Sequence, residues 1–149
     1  MSTPEPRPGL FLQPFVVSQL VGEVVADLVR GSGVSGTEFA VMSAIAVWPG
    51  STPTQLSRRL GMPPTTLSAL LNRLEDRGQV RRMRDRGDGR RFILELTARG
   101  RRTRQRNLER FPTWLQRVQD HLGADPESVL DAMRKLEDAL RRALADQKP

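Results

Sequence analysis

Apolar residues recur at helical spacing through most of this chain. From Pro14 to Val29, Val16, Leu20, Val24 and Leu28 form one i,i+4 row, and Val17, Val21, Val25 and Val29 form a second. The resulting face is wide, with Ser18, Gln19, Glu23 and Asp27 opposite, and a face that wide must be covered on more than one side. Proline suits a first helical position, so this pattern predicts a helix opening at Pro14. Ser35-x-x-Glu38 reads as a capping box, with Val34 and Phe39 placed to close a hydrophobic staple. The helix it opens carries Ala40, Val41, Ala44, Ile45 and Val47 and stops at Trp48-Pro49-Gly50. Thr52-Pro53-Thr54-Gln55 is a second capping box ahead of a short helix with Leu56 and Leu60, ended by Gly61. Beyond the turn Met62-Pro63-Pro64, Leu67, Leu70, Leu71 and Leu74 stand at i, i+3, i+4 and i+7, a clean amphipathic stripe that Gly78 terminates.

After Gly78 the period changes. Residues 79–84 and 91–96 read as short strands, with Phe92, Leu94 and Leu96 alternating against Ile93 and Glu95. By that alternation Phe92 faces inward. The stretch between them, RDRGDGRR, is then a hairpin tip, with glycines where positive φ is required. Thr97 can cap a long helix over Ala98 to His121, which Pro112 should bend near Leu108 to Phe111. Asp125-Pro126 opens a last helix whose Val129, Met133, Leu136, Leu140 and Ala143 are spaced 4, 3, 4, 3, a heptad seam.

Composition narrows the function. The 149 residues suit one domain with a proper core, and 38% hydrophobic with 28% charged residues is globular usage. No cysteine is present, which excludes a disulfide framework, a thiolate zinc site and thiol redox sensing. The single histidine, His121, offers no metal spacing, and no paired carboxylates, nucleophile with a base, or phosphate loop suggests an enzyme or a bound cofactor. No stretch approaches the ~20 apolar residues that span a bilayer, so the expected location is the cytoplasm, without membrane attachment. The net charge of +7 is concentrated: residues 62–104 hold twelve arginines and five acids, the whole surplus. Such a patch points to a polyanionic partner.

Helix, tight turn, amphipathic helix and β-hairpin in that order is a winged helix-turn-helix, whose second helix enters the DNA major groove. The leucine stripe must face the core, which leaves Thr65, Thr66, Ser68, Ala69, Asn72 and Arg73 free to meet DNA. Hydroxyls bond to phosphates or base edges, asparagine can pair bidentately with adenine and arginine with guanine. A second basic run, Arg99, Arg101, Arg102, Arg104 and Arg106, reads as a solvated helix face, as phosphate contacts or as counter-charge for an anionic ligand.

The segment from Thr52 to Gly100 resembles the MarR family of bacterial transcription regulators. The matching pieces are Leu56-Ser57-x-x-Leu60-Gly61, Thr66-Leu67-Ser68, Leu74-Glu75-x-Arg77-Gly78-x-Val80-x-Arg82, and Asp88-x-Arg90 followed by Leu96-Thr97-x-x-Gly100, in order and at the family spacing. The resemblance implies a mainly α fold with a small β-hairpin wing: a winged helix-turn-helix over residues 35–97, a helical dimerisation region over 13–34 and 98–147, and a flexible tail over 1–12. It implies a homodimeric repressor on a palindromic double-stranded operator, released by a small aromatic or phenolic effector. Arg90 becomes the minor-groove residue and Asp88 the partner that orients it, with Arg84, Arg86 and Arg91 beside them for phosphates. Val16, Leu20, Val24 and Leu28, with Val129, Met133, Leu136 and Leu140, would bury against a second subunit. Pro63 departs from the usual serine ahead of the recognition helix, and its side-chain cap is lost. The competing reading is an architectural DNA- or RNA-binding protein without an effector.

Overall fold

The structure is a computed structural model and describes residues 9–147. It divides into two compact units, residues 1–111 and 112–149. The first holds α1 (Gly9–Leu28), α2 (Gly36–Val47), α3 (Pro53–Leu60), α4 (Pro64–Asp76), β1 (Val80–Arg84), β2 (Phe92–Leu96) and α5 (Ala98–Leu108). The second holds α6, which opens at the boundary (Phe111–Leu122), and α7 (Pro126–Asp146).

Both capping boxes form. Ser35 Oγ accepts from the Glu38 amide while the Glu38 carboxylate accepts from the Ser35 amide, and Thr52 and Gln55 do the same at α3. The glycine stops also act as expected. Gly78 (φ 65°) lets its amide donate to Glu75 O and the Gln79 amide donate to Leu74 O, a Schellman closure of α4. Gly61 (φ 61°) closes α3 with the equivalent pair of bonds to Arg58 O and Ser57 O. At the start of α4, Pro63 provides no side-chain cap, and Pro64 sets the first turn.

The core lies inside the first unit. Leu67, Leu70, Leu71 and Leu74 pack with Val41, Met42 and Ile45 of α2, Leu56 of α3, and Val80, Leu94 and Leu96 of the hairpin. β1 and β2 are antiparallel, from Val80 opposite Leu96 to Arg84 opposite Phe92. The Leu94 amide also donates to Ser51 O, joining the hairpin to the α2–α3 connection.

Gly100 explains the last piece of the sequence pattern. A Cβ built there would stand 2.0 Å from Gln79 O, so the first turn of α5 lies directly on the backbone that leaves α4. Thr97 completes the junction. Its amide donates to Gln79 O, its hydroxyl to Gly78 O, and its Oγ1 accepts from the Gly100 amide.

Several expectations need correction. α1 opens at Gly9, so Pro14 is an interior residue and the boundary set at residue 12 falls inside a helix; residues 1–8 of the expected tail lie outside the described residues. Proline there forfeits only the bond to the Leu10 carbonyl, near the helix start. At 20 residues α1 is also long and apolar enough to cross a bilayer, contrary to the sequence reading. The helix expected over 98–121 is two helices. An unbroken helix would have needed a Pro112 amide for the Leu108 carbonyl, so α5 ends at Leu108 and α6 restarts at Phe111 with proline in its first turn.

A buried carboxylate ties α2 to α4. Glu38 is 3% exposed, and its Oε1 accepts from Arg73 Nε at 3.1 Å and from Arg77 Nη2. Arg77 also donates to Gly33 O at 2.8 Å. Burial pushes the Glu38 carboxyl up, but the Ser35 amide and the two guanidiniums outweigh it and hold the group below its ordinary value.

Two predictions follow from these contacts. Gly100→Ala should cost about 2 kcal/mol through overpacking at the wing base; an unchanged urea midpoint would contradict this placement. A folded pKa below the unfolded one means that ionised Glu38 stabilises above the carboxylate range and that this contribution is lost as pH falls through the folded value. Glu38→Gln should therefore unfold more readily than wild type at neutral pH, and the gap should close in acid. A gap that is constant with pH would show that the charge does not matter.

Candidate nucleic-acid interface

The leucine stripe turns α4 so that its other face is open. Thr65, Thr66, Ser68, Ala69 and Asn72 are all exposed. Thr65, Ser68 or Ala69, and Asn72 fall at i, i+3 or i+4, and i+7, one row along the helix. None of the Thr65, Thr66 and Ser68 hydroxyls is engaged in a hydrogen bond among the described residues. Ala69 adds only a methyl group, which keeps the middle of the row shallow.

Arg73 sits on this helix but is held back. Its Nε is bound to Glu38, so the base of its guanidinium is turned toward α2 and not simply offered to a groove. Asn72 is also engaged: its Oδ1 accepts from Arg82 Nη2 at 3.2 Å. The same nitrogen lies 3.4 Å from Glu75 Oε2. Sequence reasoning left Arg82 without a role, although a signal was available. Strand alternation puts Arg82 on the same strand face as the buried Val80, the side of the hairpin that meets α4.

The wing tip is organised by its own aspartates. Asp85 Oδ1 accepts from the Gly87 amide at 2.9 Å, and Asp88 Oδ1 accepts from the Arg90 amide at 3.1 Å. The Arg91 amide donates to Asp88 O, and the Asp85 amide to Arg91 O. Asp88 thus acts on Arg90 through the main chain, not through its guanidinium. Neither Gly87 nor Gly89 has positive φ, so the left-handed turns expected at the tip are replaced by these side-chain-to-amide turns. Arg84 donates to Gly89 O at 2.8 Å and lies 5.5 Å over the Phe92 ring. The guanidiniums of Arg86, Arg90 and Arg91 make no hydrogen bond or ion pair among the described residues, and all three are exposed.

Phe92 corrects the sequence reading. It shares a strand face with Leu94 and Leu96, but it is 45% exposed, because the core underlies only the base of the hairpin. Beyond that base the face opens onto a cleft whose lining includes Thr52, Gln55, Ser68, Arg82, Arg91 and Phe92. The amino end of α3, the row on α4 and the wing therefore border one cleft. On α5, Arg101 donates to Leu96 O and Arg104 to Ser43 Oγ, so these two members of the basic run anchor the helix. Arg99, Arg102 and Arg106 are exposed.

Residues 32–91 match the model of the MarR family. The transcriptional regulator HosA of Escherichia coli is 43% identical over 63 residues, which is 42% of this chain and 47% of that protein. The chain thus spans about half the length of the curated relatives it matches. The fold is similar to that of the transcriptional regulator MosR of M. tuberculosis, solved in complex with DNA (TM-score 0.71, 26% identity, 87% of this chain and 95% of that one). It is equally similar to the PcaV regulator of Streptomyces coelicolor, solved with its natural ligand (TM-score 0.70, 26% identity, 94% and 99% covered). The MarR structure from E. coli, at 20% identity and TM-score 0.67 over 93% of this chain and 99% of that one, shares the fold. The two capping boxes, the leucine-backed helix and the arginine-rich hairpin tip all lie within residues 32–91, the segment that is similar to the MarR family.

Proposed function

We propose that the protein is a cytoplasmic, dimeric transcriptional regulator, a repressor that binds a palindromic duplex. In this reading α4 lies in the major groove and the wing reaches the adjacent minor groove. The observation that carries it is the cleft on which Ser68 of α4 and Arg91 of the wing both open. Ser68, whose hydroxyl is unengaged, and the unpaired Arg91 border this cleft, where a phosphate backbone would neutralise the arginine. Arg90 is the minor-groove residue, its backbone fixed by Asp88, and a narrow groove favours an inserted arginine.

Apolar faces support self-association. Phe11 is 73% exposed, Leu20 56%, Met133 53% and Leu144 64%, and neither α6 nor α7 buries a residue. Unpartnered faces of this kind mark interfaces, and a second subunit is the covering expected for Val16, Leu20, Val24, Val129, Met133, Leu136 and Leu140. Leu28, assigned to the same surface from its spacing, is 4% exposed and already buried within its own subunit. Glu23 and Asp27 on α1 favour a protein partner over a bilayer. Release by a small aromatic acid remains part of the proposal, supported by the relative solved with its ligand.

Ligand-free binding to unpaired strands is the second reading, and the exposed Phe92 ring is what favours it. Competition between duplex and single-stranded oligonucleotides separates the two, since a regulator should prefer duplex and lose affinity steeply as salt rises.

Arg90→Ala should weaken operator binding by about 1–3 kcal/mol, or about 5- to 150-fold, with the dimer intact. Unchanged affinity in a titration would remove Arg90 from the interface. Leu20→Asp with Met133→Asp should give a monomer by sedimentation; a persistent dimer would place the interface elsewhere.

A further inference from the structure

Arg82 lines the cleft between α4 and the wing, and from there it touches the recognition helix at two points. Its Nη2 donates to Asn72 Oδ1 at 3.2 Å and approaches Glu75 Oε2 at 3.4 Å. Asn72 and Glu75 are three residues apart on α4, so one guanidinium spans nearly a turn of the helix from the middle of β1. A guanidinium has donors only. The atom of Asn72 that faces it must be the amide oxygen, and this contact removes the usual ambiguity over which end of an asparagine is which. The planar amide then carries Nδ2, with its two hydrogens, on the side away from Arg82.

We infer that Arg82 is a specificity-determining positioning residue: it fixes Asn72 so that the recognition helix offers donors, not a donor–acceptor pair, to the base beneath it. Bidentate reading of adenine needs Oδ1 to accept from N6–H while Nδ2 donates to N7. With Oδ1 turned to Arg82 and one of its two lone pairs taken, that pattern is not presented squarely to a base. What remains matches acceptors best: the O6 and N7 pair of guanine, or O4 of thymine, whereas adenine N7 stands beside an N6–H donor that would then go unmatched. The Glu75 contact restrains the guanidinium from the other side, so that Arg82 is held where Asn72 needs it. The inference rests on the DNA-binding reading and refines it, replacing the adenine contact that the asparagine suggests in isolation.

The test is selection from a randomised duplex library by the full-length protein, comparing wild type with Asn72→Ala, Arg82→Ala and Arg82→Lys, each first checked for an unaltered helical spectrum and melting curve. Wild type should select guanine or thymine at one symmetric position of each half-site. Asn72→Ala should flatten that position and leave the others unchanged. Arg82→Ala should flatten the same position or shift it to adenine, because the amide is then free to turn. Arg82→Lys, which keeps a single donor, should retain the wild-type preference more closely than alanine does. An even loss of affinity on all sequences with Arg82→Ala would make Arg82 a phosphate contact or a stability residue and overturn the inference, as would an adenine in the wild-type consensus at the position that Asn72→Ala flattens. A variant that fails the melting check is replaced by Asn72→Asp, which keeps the bond to Arg82 but has no donors and should lose the preference. Selection of no duplex sequence by wild type would instead overturn the DNA-binding reading itself.

Discussion

The contact on which the rest of this structure depends is the seat of Gly100 and Thr97 on the backbone of Gly78 and Gln79. Three elements meet there. α4 ends, the first strand of the wing begins, and α5 leaves the second strand, all within a few ångströms. A side chain at position 100 would push α5 off the turn, and the hairpin would lose the angle at which it leaves the recognition helix. The polar atoms of the junction are shared economically, since Gln79 O takes the Thr97 amide and the Thr97 hydroxyl bridges Gly78 O and the Gly100 amide. The site lies at the base of the hairpin, away from its tip, and the relation between helix and wing is settled by it.

A second constraint works from the opposite end of the recognition helix's surroundings. Glu38 has two tasks with one carboxylate: it closes the capping box of α2 and gathers Arg73 and Arg77 from α4. A buried ion pair of this sort adds little net stability compared with apolar packing, yet breaking one partner is costly. Its use here is geometric. It sets how α4 lies across α2, and it withdraws Arg73 from the set of residues simply available for base reading.

Much of this was legible in the chain because the signals were local. Capping boxes, helix-ending glycines, the leucine stripe and strand alternation all act over a few residues, and each led to the element observed. The misreadings share a different cause. Pro14 and Pro112 were judged by position in a pattern, whereas the neighbours on both sides decide whether a proline opens, interrupts or separates a helix. Phe92 was assigned the correct face, but a face is buried only where something lies under it, and the core stops short of the wing tip. Arg73, Arg82 and Asp88 found partners 35, 10 and 2 residues away, through a carboxylate on α2, an amide on α4 and a backbone N–H. Pairings of the first two kinds emerge only once helices and strands are placed side by side.

The row on α4 has a consequence for how such a protein can change. The side chains of Thr65, Thr66, Ser68 and Ala69 make no hydrogen bond among the described residues, and both ends of the helix are fixed by backbone or proline. These positions can be exchanged with little thermodynamic penalty, so on the proposed reading preference for one operator can drift toward another by single steps while the scaffold stays folded. Asn72 is the exception in that row, because altering it also unsettles an arginine on the wing. Innovation in sequence preference is thus cheap at the amino end of the helix and coupled at its middle.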